Sequence, residues 1–268
     1  MIGCVIKMQI VNWKDGMDKL EKSDRIESID LLRVISIMCV IVIHCVEYLD
    51  WTTLSQHKRF IQTFVAMLIF VGRLGVPFFM MISGYLILDK KFDSNQCKIF
   101  LMKNWLHLLT VTQFWYVIYN IYLYYFCEQQ ISIKYLIQQI FFVRNVNMSH
   151  VWYMPMILGA YLIFPWLANA LGSIRKSIIL VPLTISVIYT YVFPFINGIT
   201  KVLHEEPMKI QIQIYSGGGY IWAYFIIGYL VKNCLLSNIK KEKLIIFSLI
   251  MFSLAVVTQM LALNLNYK

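Results

Sequence analysis

"RVISIMCVIVIH", Arg33 to His44, places a permanent cation and an imidazole at the two ends of a run that is otherwise apolar except at Ser36. A run of this kind is helical when removed from water, because lipid cannot satisfy a non-helical backbone. At about 100° and 1.5 Å per residue, eleven residues return the helix to within roughly 20° of its starting direction and about 16 Å further along. Arg33 and His44 therefore share a face without touching. Ser36 and Glu47 lie on one flank of that face and Asp30 on the other, with Val40 the apolar residue among them. An unpaired charge at mid-membrane costs on the order of 3 kcal/mol, and such residues face a protein interior or a watery cavity. The stripe predicts a polar cavity along this helix. A plainer arrangement also fits: Asp30 and Arg33 as an i,i+3 ion pair at the interface, with His44 hydrogen-bonded to a neighbouring helix.

Composition sets the solvent. Of 268 residues 59% are hydrophobic, 15% aromatic and only 14% charged, and the mean hydropathy is +0.66. That balance excludes an ordinary soluble domain and indicates an all-α, polytopic transmembrane helical bundle. The net charge of +10 is the kind produced by Lys and Arg between spans, and no arginine stripe with interleaved aromatics points to nucleic acid. The six cysteines form no C-x-x-C pair, so neither a disulfide framework nor a metal site is expected.

Seven spans are expected, near 31–50, 61–88, 99–126, 151–171, 177–197, 215–233 and 243–263. Pro77 and the glycines at 72, 75 and 84 offer places for a kink in the long second span. Placing the N-terminus in the cytoplasm puts fifteen of the 24 Lys and Arg residues inside and seven outside, with Arg33 and Arg73 inside spans. Residues 1–30 then form a cytoplasmic segment without the pattern of a cleaved signal peptide, and 31–268 a membrane domain. The apolar stretch from Ser132 to Val143 is too short to cross and is expected to be interfacial or re-entrant.

Three blocks in order carry a resemblance: "SIDLLRVISIMCVIVIH" (Ser28–His44), "RLGVPFFMMISGYLI" (Arg73–Ile87) and "HVWYMPMILGAYLIFP" (His150–Pro165), with a weaker echo at "YFIIGYL" (Tyr224–Leu230). In these the chain resembles the acyltransferase-3 family of integral membrane acyltransferases, most nearly its surface-polysaccharide O-acetyltransferases. The resemblance implies a multi-pass protein of the bacterial inner membrane that takes an acyl group from cytoplasmic acyl-CoA, with acetyl-CoA as donor substrate and no permanently bound cofactor. The acceptor implied is a hydroxyl of a surface glycan or lipid-linked sugar. Family members commonly carry further spans, so a C-terminally truncated or short form is the expectation. A flippase or transporter of a lipid-linked sugar is the rival reading, since transport also requires a charged cavity among helices.

Acyl transfer from a thioester to a hydroxyl needs a base, an oxyanion stabiliser and a clamp on the anionic donor. Imidazole is the side chain that ordinarily titrates near neutral pH, which makes His44 the candidate base. Arg33 has the planar donor fork that holds phosphates, and Arg73 is a candidate for donor phosphates or the oxyanion. Glu47 is a candidate to orient His44 from the next turn, or equally marks the outer end of the span. Asp30 and Lys103 are candidate partners at the donor end; relatives begin the third span with Lys-Arg, where Lys103 is followed by Asn104. Ser83 and Tyr85 are candidate hydrogen-bond donors to substrate around Gly84, while tight helix packing is the alternative for that trio. His150, Trp152 and Tyr153 offer an aromatic face and polar tips suited to a sugar, or equally an aromatic belt at the interface.

Overall fold

The computed structural model describes residues 26–47, 49, 59–129, 131–144, 149–202, 220–233 and 240–265. Its elements in chain order are α1 (Glu27–Glu47), α2 (Arg59–Arg73), α3 (Gly75–Ile87), α4 (Ser94–Phe100), α5 (Leu106–Phe126), α6 (Ile133–Ile140), α7 (Tyr153–Ser173), α8 (Lys176–Val187), α9 (Phe193–Val202), α10 (Tyr220–Lys232) and α11 (Lys241–Leu265). A π-helical turn, Leu101–Trp105, joins α4 to α5, and a second, Ile188–Val192, joins α8 to α9. A 3₁₀ turn, Ser149–Trp152, leads into α7. No strand occurs among the described residues.

Among the described residues, four stretches are long and apolar enough to cross a membrane: Glu27–Val46, Phe60–Ile87, Tyr153–Ser173 and Lys176–Gly198. The helices α5, α10 and α11 fall where the third, sixth and seventh spans are expected. The described part of α10 has only 13 residues, and α5 intersperses its apolar residues with tyrosines, amides and threonines. Large apolar side chains cover the outside of the bundle: Leu31, Val34, Ile37, Met38 and Ile41 of α1 are exposed, while Ser36 is fully buried. This inversion of the soluble pattern is what a hydrocarbon solvent produces.

The second span breaks once, at Leu74, between α2 and α3. Pro77 explains where. A proline ring collides with the carbonyl four residues earlier, here that of Arg73, the residue at which α2 ends.

α3 is the hub. Its buried face joins α7 and α10 in the main core, where Met80, Phe164 and Phe225 are completely enclosed and the rings of Phe164 and Phe225 meet edge to face at 4.9 Å. Two glycines set the α3–α10 spacing: a Cβ on Gly84 would overlap the Phe225 carbonyl, and a Cβ on Gly228 would overlap that of Met81. On the other side, Gly72 meets the Ile43 backbone and Gly75 meets the Ser36 carbonyl, drawing α1 against the α2–α3 break. Small residues replace the hydrophobic driving force that helices lack in lipid, since they let backbones approach and gain dispersion contacts.

The short helix α6 docks on α5 through amides. Gln113 donates to the Ile140 carbonyl at 2.6 Å, and Asn120 donates to the buried Gln139 at 2.6 Å. Ser132 caps its start, accepting from the Tyr135 amide at 3.2 Å. An eight-residue helix is about 12 Å long and does not span a bilayer.

Candidate active site

Two cavities, each of about 410 Å³, lie one after the other along the α2–α3 span. The first, towards the Glu27 end of α1, is lined by Arg33, by Phe79, Ser83, Leu86 and Lys90 of α3 and the turn after it, by Phe100 and Asn104, and by Tyr153, Ile157 and Tyr161 of α7. The second, towards the Glu47 end, is lined by Val40 and His44 of α1, Arg73 at the end of α2, Pro77 and Met80 of α3, Trp152, Thr190 and Tyr191, and Tyr224 of α10. Phe79 lines the first and Met80 the second, and between them α3 provides the dividing wall.

The single polar cavity expected along α1 is therefore divided in two. Ser36, placed on the polar stripe by helical periodicity, points its hydroxyl back to the Leu32 carbonyl at 2.6 Å, and its own carbonyl packs on Gly75. The α1–α3 approach that this glycine permits closes the middle of the stripe. Arg33 and His44 each keep an opening to one side of it.

Arg33 is anchored by Asp30, Nη1 to Oδ1 at 2.7 Å, with the side chains 44% and 30% exposed. That is the i,i+3 pair seen as an alternative in the sequence, and it coexists with the cavity: the carboxylate holds the guanidinium at the rim of the chamber. At such exposure the pair is worth at most about 1 kcal/mol, so its role is orientation. Deeper in, Ser83 and Tyr161 line the same chamber as Arg33. The Tyr153 ring sits 6.4 Å from that of Phe79 and 6.3 Å from Trp152, so these rings stand where the chambers adjoin.

Both π turns feed the site. Each gives the helix one extra residue per turn and re-aims the side chains around it, a feature frequent at functional sites. The first presents Asn104 to the Arg33 chamber and is tied to α7 by the Trp105 indole donating to the Leu158 carbonyl at 3.0 Å. The second presents Thr190 and Tyr191 to the His44 chamber.

Of the residues singled out in the sequence, Arg33, Ser83 and Tyr153 meet in one chamber and His44, Arg73 and Trp152 in the other. Lys103 lies in the first π turn but lines neither chamber; Asn104 takes that place. Tyr85 also lies outside both, with the Lys232 ammonium 5.5 Å from its ring centroid. The side chains of Glu47 and His150 fall outside the described residues. Sequence reasoning passed over Tyr161, Tyr191, Tyr224 and Lys90. Tyr161 stands eight residues after Tyr153 in the third block, and Tyr224 opens the "YFIIGYL" echo.

A family model described as an acyltransferase domain matches residues 26–267. The chain belongs to the acyltransferase-3 family. The match takes in every residue of both chambers. Searches of curated proteins and of solved structures found no match.

Proposed function

We propose that this acyltransferase moves an acyl group, acetyl in the simplest case, from acyl-CoA to a hydroxyl of a surface glycan or lipid-linked sugar. It would work in the bacterial inner membrane as a seven-span protein with a cytoplasmic N-terminus. The observation that carries the reading is the succession of the two chambers along one span, with a guanidinium at the rim of the first and an imidazole and second guanidinium in the other. The 16 Å or so of helix between Arg33 and His44 suits a donor whose phosphates stay at one membrane face while its slender thioester arm reaches inward, entering the second chamber beside the Tyr153 and Trp152 rings where the two adjoin.

The residues divide the chemistry. The acceptor hydroxyl oxygen attacks the thioester carbonyl carbon while His44 takes its proton, and the negative charge moves to the carbonyl oxygen, where Arg73 can stabilise it. As that charge returns, the carbon–sulfur bond breaks and His44 passes its proton to the departing sulfur. Trp152 supplies a flat apolar face for a sugar ring, and the hydroxyls of Thr190, Tyr191 and Tyr224 are available to its polar edge. Arg33, steadied by Asp30, holds donor phosphate through its fork of N–H groups. The Ser83–Tyr161 pair lies where the thioester arm would pass.

The deciding experiment is mass spectrometry of surface glycans from cells with and without the gene, combined with acetyl transfer by purified protein. A missing acetyl mass restored by wild type and not by His44→Ala supports the proposal. Unchanged glycans, or full transfer by His44→Ala, refutes it. Movement of a lipid-linked sugar across vesicles without any acyl donor establishes the transporter instead.

A further inference from the structure

A third cavity, the largest of the three at about 790 Å³, opens beyond the Arg33 chamber. It lies where the turn after α3, the α7–α8 junction and the end of α10 converge, and its wall includes Lys90, Lys91, Asn169, Lys176 and Asn233. Lys90 lines both this cavity and the Arg33 chamber. The edge-to-face pair of Phe92 and Phe100, centroids 5.4 Å apart, places one ring in each wall. We infer that this vestibule binds the 3′-phosphoadenosine end of the acyl donor, with Lys91 and Lys176 on the 3′- and 5′-phosphates next to the ribose, and Lys90 marking the passage towards Arg33, which holds the outer phosphate of the diphosphate.

Charge and construction support that ligand. Two carboxylates also line the cavity, but both are engaged. Asp89 is held by Lys232 at 3.4 Å and by the Asn233 amide at 3.1 Å, and Asp93 caps α4 by accepting from the Gln96 amide at 2.8 Å. With Asp89 paired to Lys232, the lining sets Lys90, Lys91 and Lys176 against the one remaining carboxylate of Asp93, a net positive wall. Lys176 is positioned, donating to Asn233 at 2.5 Å. The wall is braced rather than loose: Asn169 reaches across 77 residues to grip Phe92, accepting from its amide at 2.9 Å and donating to its carbonyl at 2.7 Å. The volume falls within the roughly 300–1,000 Å³ of small-molecule sites.

The inference rests on the donor proposed above, and its test separates the two. Adenosine 3′,5′-bisphosphate is titrated calorimetrically into purified full-length protein in neutral-lipid nanodiscs, and acetyl transfer is followed with acetyl-CoA and with the truncated donor acetyl-pantetheine. The bisphosphate is expected to bind wild type and to bind Lys91→Gln and Lys176→Gln about tenfold more weakly each, the loss of one charge-assisted hydrogen bond. Lys176→Arg, which keeps the charge, restores it. The preference for acetyl-CoA over acetyl-pantetheine, measured as a KM ratio, falls by the same factor in the glutamine variants. A wild type that binds no bisphosphate, variants that bind it as wild type does, or an unchanged KM ratio overturns the vestibule assignment. Displacement of the bisphosphate by phosphatidylglycerol in the discs overturns it in favour of a lipid headgroup. Absence of transfer from either donor, with bisphosphate binding present and lysine-dependent, upholds the vestibule and overturns the proposed reaction.

Discussion

Gly84→Ala and Gly159→Ala make the same chemical change on two helices of one bundle, and the structure assigns them opposite signs. A Cβ at position 84 would overlap backbone atoms of Phe225, whereas nothing lies within 4 Å of one at position 159. Backbone cannot yield by changing a rotamer, so at position 84 the helices α3 and α10 must separate. Overpacking of this kind costs about 3 kcal/mol at the upper end, offset by about 1 kcal/mol from the better helix propensity of alanine. Gly84→Ala is therefore expected to lose about 2 kcal/mol, and Gly159→Ala to gain up to about 1 kcal/mol. With roughly 2–4 °C of Tm per kcal/mol for a chain of this size, the two variants should lie about 6–12 °C apart, on opposite sides of wild type. Loss of helical circular dichroism during heating in detergent provides the readout. A Gly84→Ala protein that melts with or above wild type refutes the close crossing of α3 and α10. The same separation would shift the wall that both chambers share, so its acyl transfer should fall alongside Tm.

Other expectations concern the chambers directly. His44→Ala should reduce kcat for acetyl transfer by about 10²–10⁴-fold, the range for loss of a general base, with the melting profile retained; transfer at the wild-type rate contradicts its role. Arg33→Lys preserves charge but loses the planar fork, so KM for acetyl-CoA should rise about tenfold, and an unchanged KM removes Arg33 from the donor site. Tyr161→Phe removes a hydroxyl from the wall of the Arg33 chamber, so KM for acetyl-CoA should rise about fivefold, the loss of one hydrogen bond of about 1 kcal/mol, and an unchanged KM takes that hydroxyl out of the donor site. Asn169→Ala leaves both backbone groups of Phe92 without their side-chain partner, which should loosen the turn after α3 and speed amide exchange there.

Helical periodicity in "RVISIMCVIVIH" correctly anticipated that Arg33 and His44 would each reach a cavity on one side of α1. It did not reveal that the cavity is interrupted, because the interruption comes from Gly75 on another helix meeting the Ser36 carbonyl. A wheel drawn for one segment carries no information about its neighbour's approach. Of Pro77 and the glycines at 72, 75 and 84, all of which offer a kink in the sequence, Pro77 sets the break at Leu74, since its ring clashes with the fourth preceding carbonyl. The exchange of Lys103 for Asn104 had a different cause: residues 101–105 form a π turn, and a reading in 100° steps misplaces side chains wherever an extra residue is wound in. Tyr85 was misplaced by company, for Ser83 faces a chamber while Gly84 faces α10 and Tyr85, one step further round, meets Lys232. The family blocks direct attention to residues that line the two chambers, whereas Lys90 and Asn169 come together only through the approach of separate loops.

The two π turns also bear on how such an enzyme changes its diet. A π turn is an α-helix with one residue inserted, so removing a residue from 101–105 or 188–192 would let ordinary winding resume. The helix on either side would keep its facing, because the residue taken out is the extra one, so only the side chains of the turn itself would change what they show to a chamber. Single-codon losses at these two places, usually assumed ruinous inside a hydrophobic helix, are thus a short evolutionary path to a new acyl or sugar preference.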